Sequence, residues 1–186
     1  TYKDIFPYPK YRPNQEEVIA QVSEAIDAKK NVVLVASNGT GKTIMALSAI
    51  LPVAQKKEKK ILFVSRTYTQ NGRVIEESRE ITKYISEKKL GFIVSGFSLR
   101  GRNEMCLHKT IKRLGLPPSD SMSVCATLRK NHQCHYFDRM LKDKKKLEEL
   151  LNNLAQAPLD SQELMEICEK LNYCPYFISK LLIKFV

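Results

Sequence analysis

The segment Ala36-Ser37-Asn38-Gly39-Thr40-Gly41-Lys42-Thr43 carries the first recognisable chemistry of this chain. It follows the β-branched run Asn31-Val32-Val33-Leu34-Val35 and leads into Ile44-Met45-Ala46-Leu47-Ser48-Ala49-Ile50-Leu51, which reads as a helix. Strand, glycine-rich turn and helix, in that order, form a cradle for polyphosphate. Gly39 and Gly41 let the backbone turn tightly and present its N–H groups, and the positive end of the helix adds to them. Within this cradle Ser37, Asn38, Gly39, Thr40 and Gly41 line the phosphates. Lys42 reaches the terminal phosphates and the Thr43 hydroxyl holds Mg²⁺, so Lys42 and Thr43 are the candidate catalytic residues. The spacing Gly-x-x-x-x-Gly-Lys-Thr is met except at its first position, where Ala36 stands.

A second set of reactive residues lies downstream: Cys106, Cys125, Cys134, Cys168 and Cys174. Their odd number argues against a disulfide framework. Four thiolates can hold a tetrahedral zinc or an iron–sulfur cluster. Zinc sites generally use close Cys-x-x-Cys pairs, and none is present, whereas single, widely spaced cysteines suit a larger cluster approached from several directions. His108, His132 and His135 lie near the cysteines but read as surface or hydrogen-bonded residues and stay outside the candidate ligand set.

The elements that position these residues follow from periodicity. Residues 12–29 place Val18, Ile19, Val22 and Ile26 on one helical face, with Pro13 in the first turn. The basic stretch Lys56–Lys60 connects to a second strand over 61–65, a helix follows over 71–89, and a third strand covers 91–95. Strands alternating with helices predict a parallel, doubly wound α/β sheet with its ligands at the carboxyl ends of the strands. After about residue 100 the alternation stops and helical patterns dominate. One helix is expected over 139–156. Another starts at Asp160, where Asp160 and Glu163 have capping-box spacing, and it puts Cys168 on its apolar stripe. This region reads as a small helical insert held by something other than a core of its own.

Composition bounds the function. A 43% hydrophobic fraction supports a folded core. No stretch is long and apolar enough to span a bilayer, and no signal segment opens the chain, so the expected setting is cytoplasmic in a prokaryote or nuclear in a eukaryote, with no membrane partner. The 31 Lys and Arg against 20 Asp and Glu give a net charge of +11, which favours a phosphate-bearing partner over a neutral one. A P-loop ATPase also requires an acidic residue at a strand end to complete its Mg²⁺ site. The acidic pairs Glu76-Glu77 and Glu148-Glu149 fall in helical patterns instead. The chain therefore reads as the front part of a larger ATPase, inactive by itself, and its terminal run Leu181–Val186 reads as apolar sequence with nothing to pack against.

Four pieces resemble the front of the XPD-type, DinG-like superfamily-two DNA helicases. They are Arg12-Pro13-Asn14-Gln15, similar to that family's base-recognition segment; the phosphate loop, whose first position such helicases vary; Ser65-Arg66-Thr67-Tyr68-Thr69-Gln70, similar to its DNA-contacting Ser-Arg-Thr motif; and Gly101-Arg102-Asn103-Glu104-Met105-Cys106 with the distant Cys174-Pro175-Tyr176-Phe177. The resemblance implies a RecA-like P-loop parallel sheet, the partial first motor domain, over 1–100. It implies a mostly helical iron–sulfur insert over 101–178 and a return toward the motor over 179–186.

It further implies an ATP-dependent helicase moving 5′→3′ on single-stranded DNA and opening forked duplex, in DNA repair, as a monomer with ATP, Mg²⁺ and a 4Fe-4S cluster as cofactors. Gln15, assisted by Arg12, would read the adenine. Cys106, Cys125, Cys134 and Cys174 would hold the cluster, with Cys168 the competitor for the last place. Arg66, Thr67 and Tyr68 would contact DNA, as would Lys109, Lys112, Arg113, Arg129 and Lys130. Two other readings stay open: a P-loop ATPase with a zinc-binding insert that does not act on DNA, and a non-catalytic module that binds nucleic acid or a partner.

Overall fold

The computed structural model describes residues 1–186, which divide into two compact units, Thr1–Val94 and Ser95–Val186. The first is built on three helices: α1 (Gln15–Asp27), α2 (Lys42–Lys56) and α3 (Tyr68–Glu87). Their buried faces are the ones the periodicity marks. Ile19 of α1, Ile44, Met45, Leu47 and Ala49 of α2, and Ile81 and Ile85 of α3 form one core with Ile5, Phe6 and Val94. Pro13 lies two residues before α1 rather than within its first turn. Thr67 caps α3, its hydroxyl accepting from the Gln70 N–H.

The expected strands are the main departure. Residues 31–35, 61–65 and 91–95 contain no strand, and the sheet predicted for them is absent among these residues. Leu34, Phe92 and Val94 turn toward the core, while Val33 and Val35 are each 90% exposed and Leu62 is 88% exposed. The physical reason lies in the ladder. A strand exists through hydrogen bonds to a neighbour, and successive strands of a doubly wound sheet need not be neighbours. These segments have apolar sequence for two covered faces but find helices for one and no ladder partner.

The second unit is helical: α4 (Arg102–Met105), α5 (Lys109–Leu114), α6 (Pro118–Lys130), α7 (His135–Lys142), α8 (Lys144–Leu154), α9 (Ser161–Leu171) and α10 (Pro175–Leu182). One small parallel sheet pairs β1 (Gly96–Phe97) with β2 (Pro158–Leu159), in register Gly96 to Pro158 and Phe97 to Leu159. The helix expected over 139–156 is two helices that break at Asp143. The unit also has its own core, contrary to expectation: Met105, Leu107, Met140, Leu151, Leu164, Cys168, Tyr173, Ile178 and Leu182 are buried together. Leu182, from the run expected to lack a packing partner, is fully buried there. The apolar stripes of α8, α9 and α10 supply that core jointly, and none of them is long enough to announce it alone. No helix of the chain is long and apolar enough to cross a membrane.

The start of α9 is tied to β1. The Asp160 carboxylate accepts from the Gln162 N–H at 2.7 Å, and Glu163 accepts from the Asp160 N–H at 2.9 Å, completing the capping box read from the sequence. The buried Ser98 hydroxyl accepts from the Ser161 N–H at 2.8 Å. Asp160→Ala removes the acceptor of the Gln162 N–H and of the Ser98 hydroxyl and is expected to destabilise the chain by about 1 kcal/mol, with Asp160→Asn costing less. Urea unfolding followed by circular dichroism measures both.

Candidate nucleotide cradle and cysteine cavity

In the first unit the loop 36–43 turns through Gly39 (φ 82°) and Gly41 (φ 83°), both in the left-handed region that favours glycine. Gly41 is the residue that caps α2, so Lys42 and Thr43 open that helix. Gly41 has a second requirement. A Cβ there would lie 2.8 Å from the Gln15 amide nitrogen. Gln15 is buried beneath the loop, where its Nε2 donates to the Thr40 carbonyl at 3.3 Å and its Oε1 accepts from the Arg12 N–H at 3.0 Å. The Arg12 guanidinium donates to the Gly39 carbonyl. Arg12 and Gln15 therefore brace the loop's carbonyl side.

Lys42 folds back over the loop, its Nζ 2.9 Å from the Ala36 carbonyl and 2.8 Å from that of Ser37. The Thr40 hydroxyl also donates to the Ser37 carbonyl, at 2.9 Å. Ser37 and Asn38 are exposed at the rim, and Thr43 is half-buried in the first turn of α2. The carbonyls of Ala36, Ser37, Gly39 and Thr40 are thus engaged from within the chain, and N–H groups of such a loop are the donors suited to an anion.

The segment 65–70 is organised as a helix start. The Ser65 hydroxyl donates to the Thr67 carbonyl at 3.0 Å, and the Arg66 N–H donates to the Gln70 side chain at 3.2 Å. The Arg66 side chain is exposed, the Thr67 hydroxyl is occupied as the cap, and Tyr68 is half-exposed in the first turn of α3.

In the second unit Cys106, Cys125, Cys134 and Cys174 line one cavity, with Arg102, His108, Arg129, Phe137, Tyr176 and Phe177 among its walls. Cys168 lines no part of it; it is fully buried in the apolar core on α9, as its helical stripe predicts. No three His, Cys, Asp or Glu side chains converge closely enough to hold a single metal ion. The four cysteines surround a volume instead of meeting at a point, which suits a polynuclear cluster better than one tetrahedral zinc, whose thiolates must approach to about 2.3 Å. His108 is engaged at both nitrogens, by the Thr110 N–H and the Gln133 carbonyl.

Burial dominates the state of these thiols. It pushes Cys106 and Cys134 up from the usual thiol range, and Cys174 up to about 12. The Cys174 sulfur also feels Cys134, Cys106 and Cys125, whereas Cys168, likewise pushed up to about 12 by burial, feels only Cys174. Opposing this, backbone N–H groups favour the thiolate: those of His108 toward Cys106, Phe137 toward Cys134 and Phe177 toward Cys174. Cys134 and Cys174 each cap the N-terminus of a helix, α7 and α10, where the backbone dipoles favour negative charge.

The sequence reading missed the wall of this cavity. The Arg129 guanidinium, expected as a surface DNA contact, lies 5.0 Å from the Phe137 ring and 4.8 Å from Phe177. Those rings are 4.8 Å apart. Arg102 lies 4.7 Å from Tyr176 and 5.8 Å from Phe177. Cation–ring contacts of this kind contribute about 0.5–2 kcal/mol each, more when desolvated. A signal was available: Arg102 precedes Cys106 by one helical turn, and Arg129, Phe137 and Phe177 follow Cys125, Cys134 and Cys174 by one turn. Lys109, Lys112, Arg113 and Lys130 are exposed.

Comparison with known proteins places the chain in a family. The sequence pattern of the DEAD_2 family matches residues 63–186. The chain is 26% identical over 196 residues to the general transcription and DNA repair factor IIH helicase subunit XPD/RAD3 of Saccharomyces cerevisiae, covering 96% of this chain and 24% of that protein. It is 30% identical over 113 residues to the corresponding XPD subunit of Schizosaccharomyces pombe, covering 59% of this chain and 14% of the relative. To the regulator of telomere elongation helicase 1 of Rattus norvegicus it is 27% identical over 211 residues, covering 94% and 16%. The chain thus spans about a quarter or less of the length of these relatives. By the family match over 63–186 and the similarity to these relatives, it belongs to the DEAD_2 family and corresponds to the N-terminal region of an XPD-type superfamily-two helicase.

Proposed function

We propose that this chain is the front of an ATP-dependent DNA helicase that moves 5′→3′ along single-stranded DNA, opens forked duplex and serves DNA repair. In this reading the first unit binds Mg²⁺-ATP and the second holds a 4Fe-4S cluster. The observation that carries it is the sharing of one cavity by Cys106, Cys125, Cys134 and Cys174, in a chain whose relatives are named as helicases. The zinc alternative is weaker because the sequence has no close Cys-x-x-Cys pair.

In the nucleotide site, Ser37 to Gly41 wrap the phosphates with backbone N–H groups. Lys42 exchanges two neutral carbonyls for the charged terminal phosphates, a stronger pairing. Thr43 ligates Mg²⁺ at the start of α2. Arg12 and Gln15 hold the loop and stand beside it for recognition of the base. Arg66 and Thr67 at the start of α3 contact the DNA backbone, a guanidinium and a hydroxyl both being suited to phosphate oxygens, and Tyr68 stacks on a base. The acidic residue that completes ATP hydrolysis belongs to other residues of the full-length protein, and the extended segments 31–35, 61–65 and 91–95 pair with strands from the same source. The 186 residues alone are inactive in hydrolysis.

In the second unit the cluster supplies a rigid cross-link between four segments of chain, with Cys106, Cys125, Cys134 and Cys174 as its ligands. That fixes the insert where duplex meets the motor. Exposed Lys109, Lys112, Arg113 and Lys130 give this unit positive charge for DNA.

Lys42→Ala in the full-length protein is expected to lower DNA-stimulated ATP turnover and unwinding about 100-fold or more while leaving iron content unchanged. A phosphate-release assay and iron analysis on one preparation check both. For the ligand set, Cys174→Ser is expected to lose the cluster and Cys168→Ser to retain it, read from iron and sulfide content and visible absorbance after anaerobic purification. The opposite pattern would reassign the fourth ligand, and zinc in place of iron would defeat the cluster reading.

A further inference from the structure

The cysteine cavity is closed by a set of contacts that needs no metal. Each of the four cysteine-bearing segments contributes one member: Arg102 from α4, Arg129 from α6, Phe137 from α7 and Phe177 from α10. Arg129 is the member that joins three segments, since its two ring partners stand on different helices, whereas both rings beneath Arg102 belong to α10. The Nε–H donors of Arg102 and Arg129 are both buried and bonded to nothing in the protein. A buried guanidinium donor without an acceptor is costly. Here both arginines line the cavity that the four sulfurs line.

Four thiolates around an iron–sulfur core carry net negative charge, and the aromatic wall withholds water that would otherwise offset it. A fixed cation with a spare N–H is what such a cavity lacks. We propose that Arg129 is a positioning residue of the cysteine cavity, its guanidinium compensating the negative charge of the cluster-bound sulfurs while its contacts with Phe137 and Phe177 hold the Cys125, Cys134 and Cys174 segments together. This inference rests on the cluster reading above and assigns Arg129 to the cluster instead of to DNA. Charge and hydrogen bonding around cluster sulfurs set the reduction potential, so the potential reports the role directly.

The test uses the full-length protein, reconstituted with iron and sulfide under anaerobic conditions, in wild-type form and as Arg129→Met and Arg129→Lys. Iron content and the midpoint potential of the cluster, followed by electron paramagnetic resonance during a redox titration, are the readouts. Arg129→Met, which keeps length and apolar contact but removes charge and donors, is expected to retain iron and shift the potential to more negative values. Arg129→Lys is expected to recover most of that shift. A full complement of iron with an unshifted potential in Arg129→Met overturns the proposal. If Arg129→Met holds no iron, the lysine variant decides: iron regained supports the charge assignment, and iron lost in both overturns it, because shape alone would then be what the site requires. Wild-type protein that takes up no iron would sink the cluster reading itself, a result distinct from any of these.

Discussion

Four cysteine sulfurs drawn from separate stretches of chain, three of them on buried residues, share one small space, and that crowding sets the terms for the second unit. Burial favours the neutral form of Cys106, Cys134 and Cys174, and pushes Cys174 up to about 12. A thiolate in such a place calls for positive charge or N–H donors close by. The fold builds some in. Two of the cysteines sit at helix N-termini, three receive backbone N–H groups, and two arginines stand in the wall. Each of these devices depends on where a helix starts or which face it turns, so the placements of α4, α6, α7 and α10 are one problem with one solution. The separate apolar core around Leu164 and Ile178 keeps that solution in place without drawing on the cysteines, apart from Cys168, which behaves there as a small apolar residue.

The nucleotide cradle answers the opposite electrostatic demand with the same economy of parts. A loop that must offer N–H groups to phosphate has to dispose of its carbonyls. Here Lys42, Thr40, Gln15 and Arg12 take up the carbonyls of Ala36, Ser37, Thr40 and Gly39 from within the chain. Gln15 and Gly41 are mutually fitted. The amide occupies the space a side chain at 41 would need, so the glycine is required by close packing as well as by its positive φ. The Lys42 interaction is the exchangeable one, because an ammonium on neutral carbonyls is a weaker pairing than an ammonium on phosphate.

Local signals in the sequence survived folding and long-range ones did not. The glycine-rich turn, the helix behind it, the capping box at Asp160 and the burial of Cys168 on a helical stripe are settled within four residues of themselves, and each stands in the structure as read. The four-cysteine cavity depends on contacts across tens of residues; spacing alone left zinc and iron open, and resemblance to a family selected the set that lines it. The division of 139–156 at Asp143 and the core shared by α8, α9 and α10 were illegible for a related reason: several short stripes become a core only when they meet. The contacts of Arg129 with Phe137 and Phe177 were not foreseen, because a lysine- and arginine-rich surface makes any one cation look solvated, although its spacing of one helical turn from Cys125 was in plain view.

The extended segments of the first unit carry the same lesson into energetics. Their alternation is that of strands: Leu34 and Val94 face the helices, and Val33, Val35, Leu62, Val64 and Ile93 face outward. Burying an aliphatic side chain of this size stabilises by about 1.5–3 kcal/mol, so a face composed this way is strongly driven toward a cover. Unpaired N–H and C=O groups along the same segments add a directional demand that only another strand satisfies in full. The phosphate loop hangs from one of these segments. Its position is therefore fixed on the α2 side by Gln15 and Arg12 and left open on the strand side, whereas the cysteine cavity is closed by residues of its own unit. Of the two sites, the cysteine cavity is the one walled on several sides by its own unit, and the nucleotide cradle is held chiefly from the helix side.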